Sequence, residues 1–372
     1  MRRRLLWMIP LVLILAAGGV CLRLLWLTGA FRRIHPHFNG TCRLVRGPVG
    51  PEDITIQPRT GVAYISASDR RAIDAGRPAP GAIYAYDLNA ETAAPVNLTP
   101  SADAGFQPHG ISLWVGGDGR DVLFVINHPA SGPAPRANSV EIFDLVGGAL
   151  VHRATLTDPL LVMPNDLVAV GIDRFYLTNT HRHPPGAMQT IETYLQLTGA
   201  QVLFYGDGGF RPVIDDVLYP NGINVSSDGR TLYLASTSGR VLRVYDRNPA
   251  GERLAFRDEI FLGTGADNIE VDERGELWIG SHPKMLRVDK HRADPTVSSP
   301  SQVLRVTRDG RVDEVYLDDG RALSGSSVGA VHGRRLLVGQ IFDDGFLDCE
   351  LAEGAAPAEA ASAGTASPGP HQ

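Results

Sequence analysis

Apolar and polar positions alternate with a period of two along most of the chain, in short runs broken by Gly, Asp and Pro turns. That period predicts strands rather than helices. One pattern recurs. A polar dipeptide opens an alternating stretch, a turn follows, and a second apolar stretch carries Tyr, Phe or Trp. Glu52-Asp53 leads Ile54-Thr55-Ile56, His109-Gly110 leads Ile111-Ser112-Leu113, and Asn165-Asp166 leads Leu167-Val168-Ala169-Val170. Asn221-Gly222 leads Ile223-Asn224-Val225, Asp267-Asn268 leads Ile269-Glu270-Val271, and a weaker copy opens at Ser326-Ser327. The starts at 52, 109, 165, 221, 267 and 326 are spaced by 57, 56, 56, 46 and 59 residues. Further alternating stretches between the copies, such as Gly81–Asp87 and Gly239–Asp246, complete four strands per unit. Six such units predict an all-β chain, a six-bladed β-propeller over residues 40–351, preceded by an N-terminal hydrophobic helix.

The amino terminus breaks the pattern. Leu5–Leu22 holds no charge and follows Arg2, Arg3 and Arg4. As a helix it spans roughly 27 Å, just the hydrocarbon core of a bilayer. Residues 1–34 are therefore expected to be a membrane anchor or a cleaved signal segment. The anchor is preferred because the apolar run resumes as Leu24-Leu25-Trp26-Leu27. The folded part is then exported, facing the periplasm or extracellular space. Residues 352–372 are mostly Ala, Gly, Ser, Pro and Glu, which predicts a disordered tail.

Composition narrows the function. Apolar residues at 43% and charged residues at 20% are ordinary globular usage. A formal net charge of −6 argues against a sequence-independent nucleic-acid binder. Three cysteines exclude a multi-cysteine zinc module. Cys42 and Cys349 flank the repeats. They are either two separate buried thiols or one disulfide, and the disulfide requires an oxidising compartment.

The polar dipeptides carry the chemistry. Equivalent positions of a propeller lie on a circle about its axis, so dipeptides that open innermost strands converge at one mouth of the channel. Glu52, Asp53, Asp166 and Asp267, with the amides of Asn165, Asn221 and Asn268, would repel and desolvate badly there unless they surround a cation. Oxygen-only donors of mixed carboxylate and amide type suit Ca²⁺. Each dipeptide alone is also an ordinary turn sequence. Ser324-Gly325-Ser326-Ser327 lacks the frame of a nucleophile elbow and is expected to be a turn of the sixth unit. His181, His183 and His291 are expected to be solvated loop residues.

The same residues resemble the paraoxonase/arylesterase family, calcium-dependent six-bladed propeller lactonases related to the gluconolactonase/SMP-30 group. The resemblance covers about residues 40–351 and rests on Pro51-Glu52-Asp53, Gln107-Pro108-His109-Gly110-Ile111-Ser112, Asn127-His128-Pro129, Asn165-Asp166-Leu167-Val168-Ala169-Val170-Gly171, Asn221-Gly222-Ile223-Asn224, Asp267-Asn268-Ile269, His282-Pro283 and Asp348-Cys349-Glu350-Leu351. It implies two calcium ions. A catalytic one would be held by Glu52, Asn165, Asn221, Asp267 and Asn268, and a structural one by Asp53, Asp166 and the carbonyl of Ile111. It implies a His109–His128 pair assisting water attack, His282 in the pocket, and a Cys42–Cys349 disulfide. The implied activity is hydrolysis of lactones and aryl esters, with the metal polarising the carbonyl and His109 activating water. The small-molecule substrate and the membrane are the partners expected; no nucleic acid and no obligate protein partner are. Two other readings stand beside it: a sugar-lactone hydrolase of the gluconolactonase/SMP-30 type, and a membrane-tethered, calcium-stabilised propeller that binds without catalysis. The chain departs from the family at Ser68–Pro80, which aligns with a mobile active-site loop but carries Asp69, Arg70, Arg71, Asp74 and Arg77 and no aromatic residue. The loop His181-Arg182-His183-Pro184-Pro185 also differs. Substrate preference therefore transfers less safely than the metal shell.

Overall fold

The computed structural model describes residues 15, 18–117, 119–129, 137–250 and 253–352. Six antiparallel sheets follow one another along the chain. Blade one opens with strand Pro51–Gln57, blade two with Pro108–Val115 and blade three with Pro164–Gly171. Blade four opens with Pro220–Val225, blade five with Gly265–Val271 and blade six with Ser326–His332. Each opening strand packs against those of its two neighbours, and the sixth packs against the first, so the ring is closed. The predicted six-bladed propeller is thus the fold. Six apolar clusters fill the six gaps between adjacent blades. Val122 to Ile126, for example, is buried throughout, because it is covered by a blade on either side. That is why it reads as a continuous apolar run rather than an alternating one.

The ring is latched by the N-terminal part of the chain. Strand Gly40–Val49 adds to the outer edge of blade six, beside Asp344–Leu351. Cys42 faces Cys349 in this pair, and the two form a disulfide 307 residues apart in sequence. Next to it, buried Asp348 accepts hydrogen bonds from Arg43 Nη2 at 2.8 Å, from Tyr86 Oη at 2.7 Å and from Arg335 Nε at 2.8 Å. The latch strand, blade six and blade one thus meet at one carboxylate.

Among the described residues, four helical segments accompany the blades. Helix α1 covers 18–27. Helices α2 (Arg70–Asp74), α3 (Ala187–Leu195) and α4 (Met285–Ala293) each join the second and third strands of blades one, three and five. An opening strand runs away from the mouth where it begins and the second strand returns, so these connections roof that same mouth. The alternation did not predict them, because five to nine residues are too few for a helical period to stand out. Helix α1 ends against this roof: the Met285 amide donates to the Thr28 carbonyl at 3.0 Å, and Arg240 lies over the Trp26 ring. No helix among the described residues is long and apolar enough to cross a membrane. Residues 1–14, 16 and 17 of the expected membrane segment, and residues 353–372 of the expected tail, lie outside the described residues.

Candidate functional site at the channel mouth

All six polar dipeptides begin, or nearly begin, an innermost strand. Pairing with the second strand slips there in every blade, between Pro51/Asp53, Pro108/Ile111, Pro164/Leu167, Pro220/Ile223, Ala266/Ile269 and Ser326/Val328. Such bulges turn side chains out of the normal alternation. Proline suits the first strand position in four blades, where no ladder donor is needed. Neighbouring strands come so close that two dipeptides need glycine. A Cβ on Gly110 would stand 2.4 Å from the Asn165 carbonyl oxygen, and one on Gly222 would stand 2.3 Å from that of Asp267.

The bulges bring the predicted residues together. Asn268 Nδ2 donates to Glu52 Oε1 at 2.9 Å, across from blade five to blade one. His109 Nε2 lies 3.8 Å from Glu52 Oε1, and Asn165 Nδ2 lies 3.3 Å from His109 Nε2. Asn221 Nδ2 donates to Thr237 Oγ1 at 3.0 Å, and that hydroxyl donates onward to the Ala266 carbonyl at 2.6 Å. The relay fixes the Asn221 amide with its oxygen turned away. His282 Nε2 contacts Asp267 Oδ2 at 2.8 Å, so this histidine holds a carboxylate of the ring. Glu52 is 2% exposed, and Asn268 and Asn221 are buried with it.

Four oxygens of this ring have no hydrogen-bond partner although they are buried: Glu52 Oε2, Asn165 Oδ1, Asn221 Oδ1 and Asn268 Oδ1. Buried acceptors are almost always satisfied, and each orphan costs about 1–3 kcal/mol. Four from four blades at one mouth are what a bound cation would satisfy. The carboxylates agree. Burial pushes Glu52 up to about 8, against the pull of Arg70 and with Asp267 and Asp53 adding to the rise. Among the described residues, no three His, Cys, Asp or Glu side chains form a metal cluster by themselves. The donor set depends on its amides.

A second layer lies beneath. Asp53 Oδ2 accepts from the Ile111 amide at 2.7 Å, and Asp166 Oδ2 accepts from the Ile223 amide at 2.7 Å. Each aspartate thereby ties its blade to the next. Burial raises Asp53 to about 7 and Asp166 well above the usual range, with Asp53 adding to the rise at Asp166. Ile111 contacts Asp53 here through its amide.

His109 and His128 meet edge to face with ring centroids 5.0 Å apart. Asn138 Nδ2 donates to the Leu161 and Val162 carbonyls, so its oxygen faces His128 Nδ1 at 3.0 Å. Burial, then Arg70 and His128, hold His109 well below its ordinary value.

Sequence reasoning missed Arg70. Its Nη2 lies 2.9 Å from His109 Nδ1. A guanidinium only donates, so Arg70 claims the lone pair of a neutral His109 at Nδ1, while the Asn165 amide nitrogen, also a donor, faces Nε2. Two histidine expectations are also corrected. His291 is not solvated: it is 1% exposed within α4, where its Nε2 meets Arg71 Nη2 at 3.0 Å and Asp343 Oδ2 at 3.0 Å. His181 is buried against Glu192 and Tyr219, and His183 pairs with Glu192 at 2.7 Å. Ser326 and Ser327 open the sixth inner strand rather than form a turn, and their hydroxyls bond backbone carbonyls.

A closed propeller with a polar ring at one mouth defines the class of protein. The particular family follows from comparison: the Arylesterase family model matches residues 34–351, and the chain belongs to that family. It is 35% identical over 336 residues to human serum paraoxonase/arylesterase 1, covering 87% of this chain and 92% of that protein. It is 34% identical to rat serum paraoxonase/arylesterase 2, covering 83% and 88%. The fold is shared with a luciferin-regenerating enzyme (TM-score 0.53, 11% identity, 85% of this chain and 97% of that one). It is also shared with regucalcin of Agrobacterium tumefaciens, described as a calcium-binding protein (TM-score 0.50, 15% identity, 84% and 95%).

Proposed function

We propose that this chain is a calcium-dependent hydrolase of lactones and aryl esters, exported and held at a membrane through residues 1–34. The observation that carries the reading is the set of four buried, unpartnered oxygens contributed by four blades. Glu52, Asn165, Asn221, Asp267 and Asn268 would hold the catalytic ion, and Asp53, Asp166 and the Ile111 carbonyl a structural one. Membership of the arylesterase family supports the ester-hydrolysing class. The disulfide supports maturation in an oxidising compartment. Exposed Leu22 and Trp26 on α1, with Met188, Tyr194 and Leu195 on α3, support a membrane beside the roofed mouth.

When bound, the calcium supplies Lewis-acid polarisation of the ester carbonyl. The remaining work falls to the chain. His282 fixes Asp267, and Asn268 fixes Glu52, so the donor oxygens are set before substrate arrives. His109 is the general base. It takes a proton from water as the water oxygen bonds to the carbonyl carbon, and returns it to the departing alkoxide as the acyl–oxygen bond breaks. Carboxylate, alcohol and one released proton result. Burial keeps His109 neutral, as a base must be. Arg70 occupies Nδ1 in this state, so proton uptake there requires the guanidinium to withdraw. His128, anchored by Asn138, holds the His109 ring edge-on.

The test is hydrolysis of phenyl acetate and an aliphatic lactone with calcium or with chelator, for the parent protein and Asn165→Ala, with folding checked by circular dichroism. Both chelation and the substitution are expected to abolish turnover. Full turnover in both refutes the reading. Calcium-dependent stability with no hydrolysis of any ester would instead favour the non-catalytic binding propeller.

A further inference from the structure

Helix α2 lies in the segment that departs from the family pattern. Asp69 caps it, its Oδ1 accepting from the Ala72 amide at 2.9 Å. Both of its ends are tied down from one side. Arg71 reaches out to Asp343 and to the His291 carbonyl at 2.8 Å, and Asp74 takes a two-pronged bond from Arg292 of α4 at 2.6 and 2.7 Å. Arg70 points the other way, into the mouth. Its side chain is 14% exposed. Nη1 donates to the carbonyls of Gly50 at 3.1 Å, Ile341 at 3.2 Å and Ser68 at 3.4 Å, and Nη2 donates to His109. The nearest carboxylate oxygen is Glu52 Oε2, 3.9 Å away.

Carbonyls and a neutral imidazole satisfy donors but do not neutralise charge. The one carboxylate within reach belongs to the metal ring, and its oxygens are committed there once a cation binds. Among the described residues a guanidinium mostly withdrawn from water then has no uncommitted carboxylate within 4 Å, Asp267 and Asp74 acting on it from farther off, an expensive state that an arriving anion relieves. Its planar fork matches a carboxylate in particular.

We propose that Arg70 is a receptor for a carboxylate on the substrate, so that this site prefers esters and lactones bearing an acidic group near the reacting carbonyl. The proposal rests on the hydrolase reading above. Arg70 is thus a specificity residue towards the substrate.

The test uses binding, which does not depend on turnover. Pyroglutamate is a cyclic amide with a carboxylate, and pyrrolidinone is its neutral parent; neither is an ester. Calorimetric titration of the calcium-loaded full chain is expected to show pyroglutamate bound at least about tenfold tighter than pyrrolidinone. Arg70→Gln is expected to erase that preference and Arg70→Lys to keep part of it, with folding of each variant verified by near-ultraviolet circular dichroism. Equal affinities in the parent protein overturn the proposal, whatever the variants do. So does an undiminished preference in Arg70→Gln, which would assign the carboxylate to the metal. Selective binding of the acid by a protein that hydrolyses no lactone supports the receptor and refutes only the hydrolase reading.

Discussion

The latch between Cys42 and Cys349 is the contact whose removal has the most calculable effect. Chain-entropy arithmetic for a bond closing a loop of 307 residues sets a ceiling of about 5–6 kcal/mol. The observed loss should be smaller. The latch strand keeps its ladder to Asp344–Leu351, and Arg43 keeps Asp348, so the open chain retains part of its local pairing. A destabilisation of about 2–5 kcal/mol is expected. The variant should be Cys42→Ser with Cys349→Ala, because Cys42 is exposed whereas Cys349 is fully buried and would leave a serine hydroxyl unsatisfied. Urea unfolding followed by tryptophan fluorescence should show a lower midpoint for this variant and for the reduced parent alike. Hydrogen exchange should rise first in Gly40–Val49 and Asp344–Leu351. An unchanged midpoint with unchanged exchange in both strands would refute the idea that the bond closes the ring.

Gly110→Ala and Gly222→Ala should each destabilise by at least about 1–3 kcal/mol, since the new methyl meets backbone rather than a side chain that can yield. Gly209→Ala, with nothing within 4 Å of its Cβ position and no positive φ, should be tolerated; equal thermal midpoints for the three variants would count against the close approach of the inner strands. The metal-free protein should lose stability as pH rises from about 4.5 to about 8. Glu52 and Asp53, raised to about 8 and about 7, bind protons when folded that the unfolded chain has released. Calcium held by the charged carboxylates, as proposed, should flatten that slope, and a midpoint in chelator that stays level or climbs over this range would contradict it.

The fold was legible because its signal repeats. Six dipeptides at near-regular spacing, each followed by period-two alternation, identify six opening strands even where one copy, Ser326-Ser327, is weak. The ring was legible for the same reason: symmetry converts matched sequence positions into spatial neighbours. What could not be read lies where nothing repeats. Arg70, Arg71 and Asp74 belong to one non-periodic loop, and their partners His109, Asp343, His291 and Arg292 are scattered over more than two hundred residues of sequence. A histidine followed by charged residues, as His291 is, reads as solvated until the tertiary contact that buries it is known. The amide orientations of Asn221 and Asn268, and hence two of the four stranded oxygens, follow only from neighbouring hydroxyl, carboxylate and carbonyl groups.

The helices over the mouth hang between second and third strands, whereas the donor ring is built from first strands alone. The two parts face one mouth but share almost no backbone. A roof that changes in length or charge can therefore alter what reaches the mouth while the first-strand donors keep their places, except at α2, where Arg70 touches both Glu52 and His109.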